Sequence, residues 1–246
     1  MISIFQKAIV IFFMISATAL ATGPNDIAYM TEQYPPFNFE DQGKIQGIIA
    51  DTMLAMMKKL DVDRPIKVLP WANSYNKIQT VPNTCLFGMT YTPERAPLFK
   101  WVGPVTDTEV TLFALKKNHI QIKSIEDINR YKTGVIRSDI GEQLLLKNGV
   151  KPDRIDPVAQ TDQNLKKLIA GRVDLIAYSK KVLIWQIKQS GLNVDDFDIV
   201  YSLSKGELFI AFHKDTPDSI IQAFQKELDT IKSDGTYKAI ADKYLK

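Results

Sequence analysis

Short apolar runs alternate with helical periodicities along almost the whole chain, and this alternation restricts the fold more than any other feature. Residues 27–30 read as a strand that leads into a turn at Pro35-Pro36. From Gly47, apolar residues recur at Ile49, Met53, Met56, Met57 and Leu60, the spacing of a helix with one buried face. Strand-like runs follow at 66–69, 85–89, 110–115, 134–136, 173–178 and 208–212. Helical patterns lie between them at 75–80, at 142–147 and around Leu165, Leu168 and Ile169. The last of these has Asp162 as its expected N-cap and Gly171 as its stop. Ile220, Phe224, Leu228 and Ile231 mark a further helix that ends at Ser233-Asp234-Gly235, before a short final one. Strands separated by helices predict α/β layers with a largely parallel sheet. No repeat or low-complexity linker interrupts the pattern, so two lobes would have to be joined by extended strands.

At 246 residues with 45% hydrophobic content, the chain can bury a proper core. Its formal net charge of +3 is too small to argue for a nucleic acid partner or an anionic membrane, and no basic cluster with interleaved aromatics occurs. The single Cys85 lies in an apolar run and can form no internal disulfide, so the core alone must hold the fold. At the N-terminus, Lys7 precedes an apolar stretch and then Ala17-Thr18-Ala19-Leu20-Ala21. That order predicts a cleavable export signal, residues 1–21, with Thr22 first in the mature protein. The apolar run is shorter than the roughly 20 residues that span a bilayer. His119 and His213 lack metal-ligand spacing and read as surface residues at strand ends. No nucleophile elbow, phosphate loop or Ser-His-Asp order is present, and neither a metal nor a cofactor is expected.

The run Gly88-Met89-Thr90-Tyr91-Thr92-Pro93-Glu94-Arg95 places a strand end, hydroxyls and an arginine within one loop. A planar guanidinium beside short hydroxyls and free backbone N–H groups suits a bidentate grip on a carboxylate.

Five segments, in order, resemble the bacterial solute-binding proteins of family 3, the polar amino-acid receptors of ABC importers. They are Tyr34-Pro35-Pro36-Phe37, the stretch from Gly43 to Asp51 around Gly47, the Gly88 to Arg95 loop, Gly171-Arg172-Val173-Asp174, and Ser233-Asp234-Gly235-Thr236-Tyr237. The resemblance implies a two-lobed α/β fold of the type II periplasmic binding proteins. Each lobe would be a mainly parallel sheet flanked by helices. Two hinge strands, near 112–115 and 208–212, would join them. Lobe 1 would comprise residues 22–112 and 208–246, and lobe 2 residues 113–207. It further implies a periplasmic, monomeric receptor that captures a small polar, carboxylate-bearing ligand between the lobes and delivers it to an ABC permease in the inner membrane.

The same resemblance assigns ligand-binding roles. Arg95 would grip the carboxylate, with Thr90 and the Gly88 backbone beside it. Trp71 and Tyr34 would sandwich the ligand body. Arg137 and the Gly141 amide, at a helix start in Gly134-Val135-Ile136-Arg137-Ser138-Asp139-Ile140-Gly141, would close on the carboxylate from lobe 2. Here the chain departs from the family pattern. Ser179 stands where an aspartate usually binds the α-ammonium, and Thr31 where the first loop is often acidic. Lys100-Trp101-Val102-Gly103-Pro104 replaces the usual segment after the arginine loop. Glu32, Asp139 and Glu109 are the acids that could substitute. Two competing functions share the fold: a cyclohexadienyl dehydratase-like enzyme with an acid in the cleft, and a sensor that presents ligand to a membrane receptor.

Overall fold

The computed structural model describes residues 22–245. The expected export signal and its cleavage point after Ala21 lie outside them. The chain forms β1 (Ala28–Thr31), a hairpin of β2 (Phe39–Asp41) and β3 (Lys44–Gln46), α1 (Ile48–Lys59), β4 (Ile66–Val68), α2 (Trp71–Thr80), β5 (Thr84–Thr90) and β6 (Phe99–Leu115). It continues with β7 (Thr133–Ile136), α3 (Ile140–Lys147), β8 (Ile155–Val158), α4 (Thr161–Ile169), β9 (Leu175–Ser179), α5 (Lys180–Gln189), β10 (Phe197–His213), α6 (Asp218–Ser233) and α7 (Thr236–Leu245).

Eight strands form one continuous sheet in the order β4-β1-β5-β10-β6-β9-β7-β8. β1 runs parallel to β4 and β5, and β7 runs parallel to β8 and β9. The two halves are joined by β6 and β10, each 17 residues long and antiparallel to the other. β10 pairs with β5 through Leu208 to Phe212, while β6 pairs with β9 through Val110 to Phe113. Each long strand thus belongs to one parallel half at one end and reaches the other half at its other end. The result is two α/β lobes. α1, α2, α6 and α7 cover the first half, and α3, α4 and α5 pack on the second. The sequence placed the β6 crossing near 112–115. β6 is already paired with β9 at Val110, so the change of partner comes earlier along that strand.

The periodicities account for most of the burial. Ile220, Phe224, Leu228 and Ile231 all lie inside, as do Ile49, Met53, Met56 and Met57 of α1. Each such side chain contributes about 1.5–3 kcal/mol when fully buried. Other expectations change in detail. β6 begins at Phe99 instead of 110, because Gly103-Pro104 sits in a bulge opposite Leu208 to Ile210 and does not end the strand. A side chain at Gly103 would meet the Phe209 ring at 2.4 Å. β8 carries Pro157, which an edge strand bonded on one side tolerates. The N-cap of α4 is Gln160, with Asp162 in the first turn, where its charge favours the helix dipole. His213 is buried and its Nδ1 accepts a hydrogen bond from the Asp215 N–H at 3.2 Å, so it is no surface residue. His119 is exposed, in a left-handed turn.

Candidate ligand site between the lobes

The loop after β5 curls inward because the Arg95 N–H donates to the carbonyl and the hydroxyl of Thr92, at 3.1 and 3.2 Å. This turn carries the Arg95 side chain inside, where it is 1% exposed. Its Nη1 donates to the Thr90 carbonyl at 3.2 Å, and its Nε and Nη2 have no partner. Those two donors form one edge of the guanidinium, the edge that takes a carboxylate in bidentate fashion. Trp71 and Tyr75 of α2 stack at 5.4 Å, and the guanidinium carbon lies 5.3 and 5.0 Å from their ring centres. The cation therefore rests on aromatic faces.

Gly88 has a positive φ of 84° and no room for a side chain, since a Cβ there would meet Asn38 Oδ1 at 2.4 Å. Asn38 in turn donates to the Glu32 carbonyl at 3.1 Å and so ties the first loop to β5. Thr31 donates to the Phe87 carbonyl at 3.2 Å. Tyr34 stacks on Phe37 at 5.4 Å and meets Tyr178 of β9 edge-on at 5.5 Å. Burial pushes the Tyr34 hydroxyl pKa far up, opposed by hydrogen bonding with Ser179 and Thr108. Ser179 and Thr108 are themselves 3.4 Å apart, so the Ser179 hydroxyl is held within the protein.

From the second lobe, Gly141 lets the start of α3 press onto β9, because a Cβ there would lie 2.7 Å from the Ala177 carbonyl. The Ser138 carbonyl accepts from Trp71 Nε1 at 2.9 Å, a bond between the lobes. Arg137 departs from expectation. It is exposed and lies along a separate groove with Lys166, Lys167 and Arg172. It lies in the turn that follows β7, beyond the strand's last residue Ile136, which lines the cleft, and before the buried Asp139. Arg95, Thr90, Gly88, Trp71, Tyr34, Gly141 and Ser179 come together between the lobes, and Arg137 does not join them.

Three residues emerge with more weight than their sequence signals carried. Glu32 and Asp139 are 7% and 6% exposed. Burial pushes both carboxyls above the usual range; Asp139 pushes Glu32 further, and the Arg95 charge opposes the rise in both. Tyr178 is buried beside them; burial and the charges of Glu32, Tyr34 and Asp139 push its hydroxyl up, opposed by the Thr161 side chain. Glu109, the third alternative acid, is taken up by Ser202 at 2.8 Å and Lys180 at 3.7 Å. Beside this cluster opens a cleft of about 520 Å³, lined by Glu32 and Trp71 from one lobe and Ile136, Gln160, Thr161 and Gln186 from the other. Among the described residues, no three His, Cys, Asp or Glu side chains are grouped to hold a metal ion, and no helix is long and apolar enough to cross a membrane.

Comparison with known proteins agrees with this architecture. The probable amino-acid-binding protein YxeM of Bacillus subtilis is 30% identical over 220 residues, covering 87% of this chain and 81% of that protein. An ancestral arginine-binding protein solved with arginine superposes with a TM-score of 0.78 at 27% identity, over 91% of this chain and 100% of that one. A histidine kinase sensor domain similar to periplasmic binding proteins has a TM-score of 0.80 at 19% identity, covering 90% and 97%, and shares the fold. The names of the first two describe amino-acid-binding proteins. The architecture is that of the type II periplasmic binding proteins. The model of the bacterial extracellular solute-binding proteins, family 3, matches residues 27–246, and the chain belongs to that family.

Proposed function

We propose that this protein is a periplasmic receptor that encloses an amino acid, or a close relative of one, between its lobes and delivers it to an ABC permease of the inner membrane. In this reading the export signal is removed after Ala21 and the receptor acts as a monomer. Lobe 1 comprises 22–112 and 208–246 and lobe 2 comprises 113–207, with β6 and β10 as the two crossings between them. The observation that carries the reading is the unpartnered Nε/Nη2 edge of Arg95, buried between two lobes. A desolvated guanidinium with a free bidentate edge is costly unless a ligand oxygen completes it. A ligand carboxylate does so, with Thr90 and Gly88 shaping the loop behind Arg95. Trp71 and Tyr34 form apolar walls, the Gly141 N–H lies at the helix start opposite, and Ser179 steadies Tyr34. The names of the relatives, a probable amino-acid-binding protein and an arginine-binding protein, support the ligand class.

The test begins with mass spectrometry of small molecules released on denaturing protein purified from periplasm, followed by calorimetry with the compound found. Arg95→Lys keeps the charge and loses the fork. It should weaken binding by about 2–5 kcal/mol, the cost of truncating one member of a buried charge pair. Binding within threefold of wild type would remove Arg95 as the anchor.

A further inference from the structure

Among the described residues, the buried acidic and arginine side chains are Glu32, Asp139 and Arg95 alone, and all three meet between the lobes. Glu32 comes from the loop after β1, Asp139 from the residue that caps α3, and Arg95 from the loop after β5. Neither carboxylate forms an ion pair with the guanidinium, and no side chain donates to Glu32, although it is more than nine-tenths buried and faces the cleft. With both acids ionised, the enclosure carries one uncompensated negative charge. The rest of the cleft does not offset it. Glu40 and Asp162 also line it, and no lysine or arginine does; Lys166 is paired with Asp162 at 2.8 Å. An orphaned acceptor points the same way. Gln186 Oε1 is buried at the cleft with no donor.

We propose that the cleft selects a ligand of net positive charge, whose cationic group sits between Glu32 and Asp139 and donates to Gln186. This rests on the reading of the cleft as the ligand site and specifies what that site takes. A ligand carboxylate on the free edge of Arg95 is balanced by the ligand's own α-ammonium, so the remaining negative charge calls for a second cation. An ammonium or guanidinium has several N–H donors and meets the charge and the orphaned acceptor together. A zwitterion without a side-chain charge leaves one buried carboxylate uncompensated, and an acidic ligand leaves two.

Paired probes test this by calorimetry on the mature protein freed of bound solute: L-lysine against L-norleucine, and L-arginine against L-citrulline. Each pair matches in length and differs in the side-chain charge. The cationic member of at least one pair should bind at least tenfold tighter than its neutral partner. Glu32→Gln should remove at least tenfold of the cation's affinity and leave the neutral partner within threefold, and Asp139→Asn should act in the same direction. Circular dichroism of the ligand-free variants checks that each is folded. Equal affinities within each pair, or an unchanged preference in both folded variants, would overturn the proposal. Tight binding of a neutral or acidic amino acid alone would overturn it too, while leaving the receptor reading in place. Binding of none of the twenty amino acids, with no small molecule released from periplasmic protein, would overturn both.

Discussion

Glu32 and Asp139 titrate in the direction that burial dictates, upward, with the Arg95 charge opposing the shift in both. Their folded-state values lie above those of the unfolded chain, so between the two the folded protein holds more protons. Ligand-free stability from this pair therefore falls as pH rises through that window, and the pair is least costly in acid. Glu32→Gln removes the charge that Asp139, Arg95, Tyr34 and Tyr178 face. It should raise the ligand-free Tm at pH 7.5 by about 2–4 °C for each kcal/mol gained, as expected for a chain of this size. That gain should shrink toward pH 4.5; a scan showing no gain at pH 7.5 would contradict it. Stability and ligand affinity then move oppositely at one residue. Ser179→Asp has the reverse logic. It would place a third carboxylate beside Glu32 and Asp139 and displace the Thr108 contact. Ligand affinity and ligand-free Tm should both drop, the former by about 1–3 kcal/mol in calorimetry.

At the level of elements, the helices that pack the lobes were the most legible. α6 shows its apolar residues four, four and three apart, and all four are buried, with Phe224 against Phe212 at 5.3 Å and Tyr29 at 6.1 Å. Phe224→Ala should cost about 3–5 kcal/mol in urea unfolding, since close neighbours on two strands cannot all collapse into the cavity. The start of α3 depends on a close approach that no periodicity signals. Gly141→Ala forces the helix away from the Ala177 carbonyl, now 2.7 Å from the added Cβ position. Because Asp139 and Ser138 ride on that helix start, the variant should lower ligand affinity as well as Tm. Unchanged calorimetry with Gly141→Ala would show that the helix start does not position the site. β8 and the early part of β6 escaped the sequence reading for one reason. Proline and glycine read locally as chain breaks, and only an edge position or a bulge, both properties of the sheet, makes them strand residues.

Across the whole molecule, the lobes are held closed by several contacts. Trp71 bonds to Ser138, Phe39 meets Trp185 at 5.9 Å, Tyr34 meets Tyr178, and Glu94 pairs with Lys147. Lys147 is the first cause holding the Glu94 carboxyl down at about 2, so that contact persists through neutral pH and is lost in strong acid. It is exposed and screened by salt. The Trp71 bond is sheltered, and Trp71→Phe keeps the ring while removing it. The variant should weaken closure by about 0.5–1.5 kcal/mol, read as a larger radius of gyration in small-angle scattering of the ligand-free protein. An unaltered scattering curve would assign closure to the other contacts. By itself the sequence determined the α/β class, the helices and their buried faces, the family motifs and the arginine loop, because each is written in neighbouring residues. Only the tertiary structure decided that Arg137 faces outward, that Glu109 is engaged elsewhere, and that Glu32 and Asp139 meet at Arg95. Those residues lie tens of positions apart, and what brings them together is the pairing of β6 and β10 and the closing of one lobe on the other. Burial and charge balance at such a meeting point belong to no local stretch of chain.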